Sequence, residues 1–242
     1  TFTGAVDSEA GETNDLTLTA GTGDVDLQGD AGLGTDGELG AFEIISAAQV
    51  DLGSVEADSI AVSSATNIDL NGTTYTAATG SLSMADPVDL DAGAVTTTLT
   101  ASTASTGGVT LGQVVDGGGD TTLAVDVGGN NLDLSNAAND LSRLRILASN
   151  NATVVDSTNL RLGTSAVSGN LDVSVENVGV DDDLAQFGAL EVVGTTALNA
   201  GGGRINLTNS DNDFQGAVSV SGVGFGSFAA RLADRNDLLL GA

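Results

Sequence analysis

Apolar-x-apolar triplets recur from one end of this chain to the other. They include Leu16-Thr17-Leu18, Val25-Asp26-Leu27, Val50-Asp51-Leu52, Ile60-Ala61-Val62, Ile68-Asp69-Leu70 and Val88-Asp89-Leu90. Val109-Thr110-Leu111, Leu123-Ala124-Val125, Leu132-Asp133-Leu134, Leu171-Asp172-Val173 and Ile205-Asn206-Leu207 continue the series. Alternation with a period of two predicts very short strands, with two branched side chains on one face and a polar one on the other. Gly, Asn, Asp and Thr fill the intervals and predict a turn after nearly every triplet. A three-residue strand buries nothing useful alone, so the pattern predicts stacking. The expected fold is all-β, a right-handed parallel β-helix (β-solenoid) of roughly 8–11 coils, three strands to a coil and uncapped at both ends. A β-sandwich is the rival, but the strands are too short for it, the turns too frequent, and no buried Trp or Tyr corner is visible. Helix is expected at most around Ala137–Leu147 and Ala229–Asp234, where corner turns serve equally well.

One longer repeat is visible. Asn131–Leu141 matches Arg204–Phe214 in pattern, and the match extends so that 131–163 aligns with 204–241, with residues inserted between strands. A stacked fold tolerates such insertions because they bulge at corners. Both ends of the sequence fall in mid-pattern. Residues 1–242 are therefore expected to form a single continuous β-solenoid segment of a much longer protein.

Composition sharpens the picture. Among 242 residues are 34 Gly, one Pro (Pro87), one Tyr (Tyr75), six Phe and no Trp, so the core must be built from small branched side chains. Net charge is −27, from 33 acids against six Arg, with neither Lys nor His. That excludes a nucleic-acid partner, since nothing here neutralises a run of phosphates. No apolar stretch approaches the roughly 20 residues of a membrane-spanning helix, so no membrane insertion is expected of this segment. Many acids occupy the outward position of a triplet, as at Asp26, Asp51, Asp69, Asp89, Asp133 and Asp172.

Without His or Cys, histidine-based triads, thiol nucleophiles and His- or Cys-ligated zinc drop out. Carboxylate chemistry remains, and paired acids suffice for glycoside hydrolysis. The densest cluster, Asp181-Asp182-Asp183, follows Gly179-Val180, a context that suggests no burial to tune a catalytic acid, and is expected to be a solvated corner. Gly32–Gly37 lacks the Lys of a phosphate loop. No calcium-binding repeat or loop occurs, which leaves weak surface Ca2+ binding as the only ion chemistry to consider. Asn139 and Asn212 are expected to be turn formers or rungs of an amide ladder. Phe187, Phe214, Phe225 and Phe228 suggest an aromatic stack inside the rod or under a corner, with an exposed patch for a partner as the alternative, and Arg143, Arg145 and Arg161 are expected on or beside outward positions, neutralising Asp. No catalytic, cofactor-binding or metal residue is assigned, no cofactor is expected, and the chain is not expected to be an enzyme.

The segment Gly203–Gly222, echoed at 130–146, resembles the repeats of giant bacterial surface proteins, the filamentous-haemagglutinin-like and β-strand-repeat adhesins. The resemblance implies a stalk or fibre segment at the bacterial cell surface or in the extracellular space, giving reach, stiffness and self-assembly for adhesion. Its partners would be neighbouring repeats and other copies in a fibre. The alternative is a module gripping glycan or protein through one wall or a corner loop, with Tyr75 and the 181–187 loop as seeds.

Overall fold

The computed structural model describes residues 1–34, 37–63, 66–90, 96–101, 108–115, 121–176, 183–222 and 230–241. They form two compact units, Thr1–Val127 and Gly128–Ala242. In each, short parallel strands stack rung on rung into a β-solenoid, about eight turns in all. No helix occurs among the described residues. Ala137–Leu147 is a corner that runs into the strand Arg143–Ala148.

In the first unit one wall is the in-register stack of Val25–Leu27, Gln49–Leu52, Asn67–Leu70, Val88–Asp89 and Val114–Val115. Val25, Val50, Ile68 and Val88 make one buried inner column, and Leu27, Leu52 and Leu70 a second. Each such side chain adds about 1.5–3 kcal/mol by leaving water, but only because the rungs on either side cover it. The eight-residue strand Val55–Val62 turns a corner in mid-course. Its first residues pair with Thr74–Ala77 on one wall and its last with Leu82–Met84 on another. Pro87 lies just outside Val88–Asp89, where its missing N–H costs no ladder bond while its carbonyl accepts from Ile68 at 2.9 Å.

The second unit follows the same plan. Leu132–Leu134, Ala152–Asp156, Leu171–Val175, Thr196–Asn199 and Val218–Ser221 stack as one wall. Leu160–Leu162, Asp183–Gln186, Arg204–Leu207 and Ala230–Leu232 stack as a second, and Ser165–Val167, Leu190–Val192 and Asp213–Phe214 as a third.

The internal repeat proves to be a corner. Asn139 is fully buried, and its Nδ2 donates to the Leu134 carbonyl at 2.9 Å and to Val155, one coil on, at 3.1 Å. Asn212 does the same, donating to Leu207 at 3.3 Å and to Ala233, one coil on, at 3.1 Å. Asn136 and Asn209 each accept from the backbone two residues later, and Asp156 and Asp234 accept from the N–H groups of Leu141 and Phe214. Turn forming and coil bridging are thus one role. The two copies nevertheless occupy different walls: Leu132–Leu134 belongs to the first and Arg204–Leu207 to the second. The repeat encodes a corner and not a wall.

Candidate functional site

Two outward surfaces concentrate charge. On the first unit, register places Asp26, Asp51, Asp69 and Asp89 directly above one another, one per rung. Adjacent rungs lie about 4.8 Å apart, close enough for like charges to repel strongly. Amides interleave the column. Gln49 Nε2 donates to Asp69 at 2.9 Å and Asp51 at 3.2 Å, Asn67 Nδ2 donates to Asp69, and Gln28 Nε2 donates to Asp26 at 3.1 Å. Asp69 lies in the middle of this column. Its pKa is pushed up to about 6, first by burial in the wall and then by the shared bond with Asp51 and the charges of Asp51 and Asp89, with Gln49 opposing. Among the described residues, no group of three or more acids is arranged to hold a metal ion.

The second surface is aromatic and basic. Arg143 and Arg161 are register partners in adjacent coils, and their guanidinium groups lie 5.4 and 5.9 Å from the centroid of Phe187. Phe187 stays 41% exposed. Gly163 seats it: a Cβ there would lie 2.5 Å from the Phe187 ring and 2.6 Å from Arg145 Cγ, so the glycine lets both settle on the backbone. Three coils thus converge on one patch, with Arg143 and Arg145 from one, Arg161 and Gly163 from the next, and Phe187 from the third.

The other candidates divide. Tyr75 is fully buried, its hydroxyl donating to the Leu52 carbonyl and accepting from Gly72 N–H, both at 2.9 Å. Burial raises its pKa far above the ordinary tyrosine value. It is a core residue, which removes it as a seed for glycan binding. Of the four Phe expected to stack, Phe214 is buried and Phe187 faces outward, while Phe225 and Phe228 lie outside the described residues. Asp181, Asp182 and part of Gly32–Gly37 also lie outside them, and Asp183 begins the strand Asp183–Gln186.

Sequence reasoning missed the Gln186–Asn212 pair, in which each amide donates to the other at 2.9 and 3.0 Å. A Gln where the triplet grammar calls for an aliphatic residue was the available signal. A depression of about 290 Å3 is lined by Gly11, Glu12, Thr13 and Glu38, whose two carboxylates are exposed. Another, of about 210 Å3, over Ala148, Ser149, Ala166, Val167 and Ser168, has one carboxylate, Glu191. Neither offers the buried acid that carboxylate catalysis needs.

A family described as repeats of unknown function (DUF5649) matches residues 149–221. That span holds complete coils of the second unit. Comparison with curated proteins gives no match. Comparison with solved structures gives none either.

Proposed function

We propose that this chain is a spacer, a stalk or fibre segment of a bacterial cell-surface or extracellular protein, whose work is reach and stiffness rather than catalysis or cofactor binding. The observation that carries the reading is the division of labour along the wall from Val25–Leu27 to Val88–Asp89. Inward positions form continuous aliphatic columns and outward positions form charged or amide-bearing walls, so each coil is spent on supporting the next. The match to a repeat family supports it, since repetition lengthens a solenoid without requiring any new fold. The dense outer charge keeps such a segment soluble where it is exposed.

Immunogold labelling of the native organism tests this. Antibodies against the chain should decorate intact cells, with gold standing off from the envelope. Label confined to the cell interior in thin sections would refute it.

A further inference from the structure

We infer that the Arg143–Arg145–Arg161–Phe187 patch is a self-association site whose occupant is the stacked aspartate wall of a second copy of this chain. Charge distribution is the first ground. Residues 1–127 hold 20 carboxylates and no basic side chain, whereas residues 128–242 hold all six Arg against 13 carboxylates. The Asp26–Asp51–Asp69–Asp89 wall therefore has no basic side chain within its own unit. Gln28, Gln49 and Asn67 amides and the Thr1 hydroxyl donate to Asp26, Asp51 and Asp69, and amides bridge the column without cancelling its charge. After burial, which is the largest cause, the charges of Asp51 and Asp89 add to the rise in the pKa of Asp69.

Register is the second ground. Arg143 and Arg161 are directly paired partners on adjacent rungs, as are Asp51 and Asp69. Both columns share the strand-to-strand repeat of a parallel sheet, about 4.8 Å, so one can be laid along the other with guanidinium facing carboxylate at successive rungs. Chemistry is the third. An exposed Phe flanked by Arg supplies the kind of side chains that anchor protein interfaces, and Gly163 holds this one in place beforehand.

Overall repulsion between two chains of charge −27 does not forbid the contact. At about 0.15 M salt, charges more than roughly 8 Å apart are largely screened, so the facing groups decide. Patch and wall are different surfaces, which makes the contact heterologous and able to propagate. The inference adds to the spacer role and is independent of it, because purified protein in solution can display it whatever the cell location.

Sedimentation velocity on the full 242-residue chain tests it. The unaltered chain should associate as concentration rises at about 0.15 M salt and come apart near 1 M. The Arg143→Gln/Arg145→Gln/Arg161→Gln variant should associate at least about tenfold more weakly. So should the Asp26→Asn/Asp51→Asn/Asp69→Asn/Asp89→Asn variant, circular dichroism confirming that both fold. Mixed together, these two variants should form dimers that do not extend, because one retains the wall and the other the patch. The inference is overturned by a chain that stays monomeric, by an Arg variant that associates like the unaltered chain, or by mixing that restores nothing. A salt-sensitive change independent of concentration would place the contact within one chain and also overturn it. Polygalacturonate binding to the patch while copies remain apart would make it a glycan site instead.

Discussion

Single side chains matter here where polar atoms are buried. Asn139 satisfies two carbonyls in different coils from a fully buried position. Asn139→Ala should lower stability by about 2 kcal/mol in urea denaturation, because both acceptors are left without this donor. Asn139→Asp should cost more, since it removes the donor and buries a charge. Asp69 and Asp156 set a pH dependence. Asp69 is raised to about 6 by burial and neighbouring carboxylates, and Asp156 to about 6 by burial, partly offset by the N–H groups of Thr158 and Leu141. A folded-state value above the ordinary 3.8 means that the fold favours the protonated form. The resulting stability is full below about pH 4 and lost as pH rises through about 6. The denaturation midpoint should therefore rise as pH falls from about 7.5 to 5. Asp69→Asn should flatten that slope, and an unchanged slope would contradict the electrostatic account of the wall.

At the scale of the strand, each element is stable only through its neighbours. Val25–Leu27 is three residues long and buries two side chains, and the rung beside it repeats the arrangement. Removing one inner side chain should therefore be felt locally. Ile68→Ala, at a fully buried position, should cost about 2–4 kcal/mol. Hydrogen exchange should show the loss of protection centred on Gln49–Leu52, Asn67–Leu70 and Val88–Asp89, fading with distance along the stack. Uniform loss across both units would contradict the nearest-neighbour picture.

For the molecule as a whole, the coil is the unit that can be added or removed. Leu171 pairs with Thr196 one coil later, and Ala152 with Leu171 one coil earlier. Deleting 171–195 removes one complete turn and brings Thr196–Asn199 onto Ala152–Asp156 with inward residues still inward. This shortened chain should keep its β circular dichroism and cooperative melting, whereas deleting only 171–182 should lose the β signal of the second unit while sparing the first, because every strand after the deletion is then moved to the wrong wall.

The triplets of this sequence determine strand positions, the inward and outward sense of each residue, and the parallel stack, because alternation at period two and steady turn chemistry leave a three-residue strand no other way to bury its apolar face. They identify Asp26, Asp51, Asp69 and Asp89 as outward, and Asn139 and Asn212 as equivalent. Tertiary structure alone decides what lies above what. Spacing between triplets is irregular, so the sequence cannot reveal that the four aspartates share one column, that equivalent corners sit on different walls, or that Phe187 meets Arg143 from two coils away. Those neighbours are set by how many residues each corner absorbs before the next rung begins, a quantity fixed by packing against the coil beneath.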